Sequence, residues 1–161
     1  MKKVSILFLQ AVVILIGIGI LALMLWEPHI EGRNLHATLF EVYFKDPFLI
    51  YAYTASVSFF VGLYQVFKLL GYIGKNNVFS QNSVKALRTI KYCAIVLIIF
   101  ILGAEAYFFI VQSGKGEDIA GGVAMGFFMI FISVTIATSA ALFEKILQNA
   151  VDMKSENDLT I

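Results

Sequence analysis

Charge is what this chain of 161 residues has least of: 14% of its residues are charged against 60% hydrophobic, a balance outside the range of soluble domains. A net charge of +1 gives no overall basicity from which to argue for nucleic acid, so any charge argument has to rest on where the charges sit. Cysteine occurs once, as Cys93, which excludes an intrachain disulfide. No Cys/His spacing matches a zinc site, and Cys93 reads as a small packed apolar side chain. H-E-x-x-H, G-x-S-x-G, the P-loop and C-x-x-C are also missing, and "GIGI" in the first apolar run is a pair of packing glycines. These absences point to a protein that is not an enzyme and carries no cofactor or metal.

What is present is apolar sequence in long runs. Residues 4–26, 47–67, 92–111 and 119–143 each have the ~20 residues needed to cross a hydrocarbon core about 30 Å thick. The expected fold is therefore all-α, an integral membrane four-helix bundle forming a single transmembrane domain across 1–161. The N-terminus opens like a signal peptide with Lys2 and Lys3. Its apolar core is too long for one, and no small-x-small pair precedes the polar switch at Glu27, so it reads as an uncleaved anchor with Trp26 in the headgroup layer.

Orientation follows from the basic residues, which favour the cytoplasmic side. Lys2, Lys3, Lys68, Lys75, Lys85, Arg88, Lys91, Lys145 and Lys154 fall on one side, and Arg33, Lys45 and Lys115 on the other. Nine against three places both termini in the cytoplasm, with an outer loop over 27–46 and a short outer turn "QSGKGED". The inner side then holds a basic loop over 68–91 and a tail over 144–161.

The basic loop contains "NNVFSQNSVKALRTIKY", residues 76–92. Asn76, Asn77, Gly71 and Gly74 are expected to break the second helix. Ser80 then suits an N-cap, with Phe79 and Val84 at the two positions of a hydrophobic staple. At 100° per residue, Val84, Ala86, Leu87 and Ile90 share one side, and Lys85, Arg88 and Lys91 the other. The expectation is a short amphipathic cytoplasmic helix leading into the third span along the inner membrane surface, where its basic side meets anionic lipid headgroups at about 1 kcal/mol per charge. In "FEKILQNAVDMK" Ile146, Ala150 and Met153 keep one helical face, so the fourth helix should extend into the cytoplasm. The acids of "SENDLTI", Glu156 and Asp158, are expected to dock near Lys85, Arg88 and Lys91, although each such exposed pair is worth only ~0–1 kcal/mol.

Inside the spans, small residues mark close contacts because apolar burial does not drive association in lipid. Gly122-x-x-x-Gly126, Ser133, Ala137 and Ala141 lie along the fourth run, and Ser58 and Gly62 along the second. Packing within the chain is the first reading of these faces, and a homo-oligomer contact the second. Glu105 is the one acid within a span, about 20 Å above the inner end, with no basic residue in the four runs to pair with it. It must hold a proton or reach polar groups or water. Gln65 and a few hydroxyls are the other polar side chains at depth. A transporter or ion-conducting site at Glu105 is one alternative, and an immunity or envelope-stress protein using the outer loop and aromatic surfaces is another. His29 and His36, near Glu27, Glu31 and Glu41, read as loop residues in water, since six residues between two histidines matches no common metal motif.

The 76–92 segment together with "LQNAVDMKSENDLTI" at the C-terminus resembles the YoaS-like family of small bacterial membrane proteins of unknown function. The resemblance runs through Phe79, Ser80, Val84, Leu87, Ile90, Gln148, Glu156, Asp158, Leu159 and Ile161. It implies a multi-pass protein of the bacterial inner membrane. It also implies, by association alone, a partner: a small helix-turn-helix regulator of the Cro/CI type, met by Ser80, Lys85, Arg88, Lys91, Glu156 and Asp158.

Overall fold

The computed structural model describes residues 2–30, 38, 47–112 and 120–159. Four helices make up nearly all of it: α1, Lys2–Ile30; α2, Pro47–Gly74; α3, Gln81–Tyr107; and α4, Ala120–Leu159. A π-helical turn, Phe108–Gln112, continues α3. All four are long and apolar enough to cross a membrane. Pro47 occupies the first position of α2, where its missing N–H is no loss. Hydroxyls that would be unsatisfied in lipid turn back on their own helix. Thr54 donates to the Ile50 carbonyl at 2.8 Å, Thr135 to Phe131 at 2.8 Å and Thr138 to Val134 at 2.8 Å, as a medium without water demands.

Each helix packs chiefly on its neighbour in sequence. The α3–α4 contact is the most extensive and the α1–α2 contact the slightest, so the bundle is open along α1. The α3–α4 pair is a hairpin whose partners lie nearly equidistant from the middle of the 113–119 connection. Val84 and Leu87 meet Leu147, Arg88 meets Glu144, Glu105 meets Gly126, and Phe108 meets Gly122. Of the small residues expected to pack inward, Gly126 and Ser133 are buried, Ser58, Gly62, Ala137 and Ala141 are half-buried, and Gly122 is exposed apart from its contact with Phe108; Ala140, beside Ala141, is the buried alanine of that stretch. Gly62 lies 3.4 Å from the Cβ of Cys93 by the position its own Cβ would take. Gly122 and Gly126 are thus both occupied within the chain.

Within the 68–91 segment, residues 68–74 complete α2 and 81–91 begin α3, with 75–80 as the turn between them. One detail departs from the expected layout. The amphipathic lead-in is continuous with the third span, and its apolar side faces protein. Val84, Ala86, Leu87 and Ile90 are buried, with Leu69, Val78 and Val151 packed around the Val84–Leu87–Leu147 cluster. α4 is 40 residues long, about 60 Å at 1.5 Å per residue, twice the hydrocarbon thickness. Its final turns are what Val84 and Leu87 pack against.

Candidate functional site

The basic end of the bundle is built on a tight turn. Asn76, at φ 55°, takes the left-handed position just past α2. The Asn77 N–H bonds back to the Tyr72 carbonyl at 2.9 Å and the Asn76 N–H to Ile73 at 3.1 Å, the paired bonds of a Schellman ending. Asparagine serves there because its side chain tolerates this region better than most. Gly71 and Gly74, expected to help break the helix, lie within it. Their open sides face α1 instead, at Gln10 and Ile6, with 3.5 and 3.4 Å left for a Cβ.

Ser80 caps α3 as expected, in an extended conformation with its Oγ accepting from the Ser83 N–H at 3.4 Å. It also donates to the Asn77 carbonyl at 2.9 Å. Ser83, fully buried, donates to that same carbonyl at 3.3 Å, so turn and cap form one hydrogen-bonded unit. The staple residue is Val78, which packs on the core. Phe79 stays exposed, since the turn that brings Ser80 to the cap directs Val78 inward.

Arg88 and Lys91 converge on one acid. The Arg88 Nε donates to Glu144 Oε1 at 2.7 Å and the Lys91 Nζ to Oε2 at 2.7 Å. Glu144 is nearly covered, its side chain 12% exposed, whereas Arg88 keeps 52% in the open. Hydrogen bonds from Lys91 and then Arg88 hold the Glu144 carboxyl below its ordinary range, and the bond to Glu144 raises Arg88 further. Charge-assisted bonds of this length are the stronger kind. Glu144 is thus an acid that meets the basic stripe among the described residues. Residues 155–159 extend α4 as helix, with Glu156 exposed on it, and the Asp158 side chain lies outside the described residues. Lys85 is exposed. Sequence reasoning missed Glu144, yet it is the first charged residue beyond the apolar run and stands opposite Arg88 once the hairpin is folded about its tip.

Deeper in the bundle, Glu105 is 6% exposed and its Oε2 has no hydrogen-bond partner among the described residues. Its carboxyl fills the space that a Cβ on Gly126 would need. Gln65 is half-buried on α2. Gln10, in the first span, does make an interhelical bond, its Nε2 donating to the Phe67 carbonyl at 3.3 Å. The structure brings together no metal-ligand group among the described residues, and the side chains of His29, His36, Glu27, Glu31 and Glu41 lie outside them.

Residues 34–161 match the family described as protein of unknown function (DUF2975). The chain is 42% identical over 164 residues, spanning the whole of both chains, to the uncharacterized membrane protein YoaS of Bacillus subtilis (strain 168). No solved structure matches it. The family match begins at residue 34 and so covers α2, α3 and α4, the helices that build the basic end.

Proposed function

Because the chain belongs to the protein of unknown function (DUF2975) family, as a multi-pass membrane protein, we propose that it acts without catalysis through the basic end of its bundle, as a membrane partner or sensor for a small helix-turn-helix regulator. In this reading both termini and the 75–80 turn face the cytoplasm of a bacterial cell, in the inner membrane. The observation that carries it is the rigidity of this end: turn, cap, core and the Arg88–Glu144–Lys91 cluster fix a polar surface beyond the apolar runs. Such a fixed surface loses little conformational entropy when it binds.

The surface has two signs. Lys85 and the exposed part of Arg88 offer a basic face on which anionic headgroups or an acidic partner would sit. Asp152 and Glu156, exposed on the last turns of α4, offer an acidic one. A regulator that binds DNA is basic on its DNA face, and the acidic turns of α4 would compete for it. Ser80 contributes by holding the cap in place, since its hydroxyl is engaged within the turn.

The test is crosslinking from Lys85 of the full-length protein in native membranes, followed by mass spectrometry. Recovery of a small DNA-binding protein, reduced when Asp152 and Glu156 are replaced by their amides, supports the reading. Recovery of lipid alone, or a reporter fused at Asn77 that responds only on the outer side, overturns it.

A further inference from the structure

Glu105 stands apart from that surface. It lies on α3 about 20 Å along the helix from Lys91, among residues that offer its carboxyl nothing polar. On α4, the stretch from Gly122 to Ser133 facing this part of α3 has no ionisable side chain. On α2, the ionisable groups packed towards α3 are tyrosines, and Tyr51 gives its hydroxyl to the Phe100 carbonyl at 2.7 Å. On α3 itself the nearest is Tyr107, whose ring packs with Phe48 and Phe108. The threonine hydroxyls of α4, Thr135 and Thr138, stand more than two turns along the helix from Gly126 and are spent on their own helix.

The contact with Gly126 is also too close for an intervening ion or water. The carboxyl occupies the volume of a missing side chain, and Gly126 is itself buried. A carboxylate anion needs its lone pairs satisfied and its charge balanced. With Oε2 buried and unpartnered, this position supplies neither. A neutral carboxylic acid carries no charge to balance, and so it fits where the anion does not. Just beyond it, the π-helical turn Phe108–Gln112 widens α3 and sets Phe108 within 3.6 Å of where a Gly122 Cβ would stand. Turns of this kind recur at functional sites in helices.

We propose that Glu105, seated on Gly126, is a proton-binding site within the membrane-spanning part of the chain, occupied at neutral pH. The group bound is a single proton, on Oε1 or Oε2. Loss of that proton would create an anion that this seat cannot hold, so the carboxyl would leave Gly126 and the α3–α4 contact would have to rearrange. The proton would thereby be coupled to the same helix pair that builds the basic end.

The experiment is infrared difference spectroscopy of the full-length protein in vesicles of phosphatidylethanolamine and phosphatidylglycerol at neutral pH, wild type minus Glu105→Gln. The expected result is the carbonyl-stretch band of an un-ionised carboxylic acid, which shifts down in heavy water and is lost in the variant. Finding the carboxylate stretch in its place overturns the proposal. Gly126→Ala provides a second measurement that does not depend on the first variant folding. Its Cβ takes the carboxyl's place, so the same acid band must shift or disappear; an unchanged band overturns the assigned seat.

Discussion

The two hairpins of this molecule are held by different means. Between α1 and α2 the contact is slight. It includes two side-chain bonds, Gln10 to the Phe67 carbonyl at 3.3 Å and Tyr53 to the Met24 carbonyl at 2.8 Å, beside an apolar groove of about 400 Å³ lined by Val13, Gly17, Phe60 and Leu63. Among the described residues, the buried apolar ones, Val84, Ala86, Leu87, Ile90, Ala94, Ala140 and Leu147, all belong to α3 or α4. These divide by position. Within the apolar runs the buried apolar residues are the small Ala94 and Ala140, whereas every large one, Val84, Leu87, Ile90 and Leu147, lies beyond them, alongside Ala86. Lipid gives apolar side chains no reason to leave it, so helices approach closely there only where small residues allow. Where water is the competitor, burying large side chains drives association.

The sharpest way to break this comparison is to truncate one leucine on each side of it. Leu87→Ala should cost about 2–4 kcal/mol by removing a buried side chain in a water-facing core. Leu15→Ala, on α1 at 67% exposure, should cost almost nothing, because lipid contacts replace lipid contacts. Reversible unfolding in mixed micelles measures both, and equal costs would mean that the two hairpins are packed alike.

A smaller effect is expected at Glu144. Its carboxyl titrates below the ordinary value of 4.5, so the cluster stabilises the folded state above that value and the contribution is lost as pH falls through the lowered one. Glu144→Gln should reduce stability at neutral pH and remove that part of the acid sensitivity. A variant with the wild-type pH profile would show that the bonds to Arg88 and Lys91 contribute nothing. The smallest effect belongs to the α1 seam. Gln10→Leu and Tyr53→Phe should each cost roughly 0.6 kcal/mol, the average for polar contacts between helices in lipid. Additivity of the two, read from the double variant, would confirm that α1 is attached at separate points.

Much of this was legible before folding. The four spans follow from run length, and the cap at Ser80 from its place before an unbroken helical pattern. The inward side of the lead-in follows from Val84, Ala86, Leu87 and Ile90 sharing one face. Helical periodicity shows which side of a helix is apolar but not what covers it. For that reason the lead-in read as lying on lipid, when its cover is Leu147 and Val151 of α4. Phe79 read as the staple because it directly precedes the Ser80 cap, but the turn geometry selects Val78. Glycines at 71 and 74 read as breakers because local propensity cannot report that α1 crosses there.

Apolar run length and the placement of polar residues determined that the chain is helical, how often it can cross a bilayer and where α3 begins, since all three depend on interactions within a few turns. Only the packed hairpin decided that Glu144 receives Arg88 and Lys91, and that Gly126 receives Glu105. Those partners are far apart along the chain and meet only because two antiparallel helices fix their register.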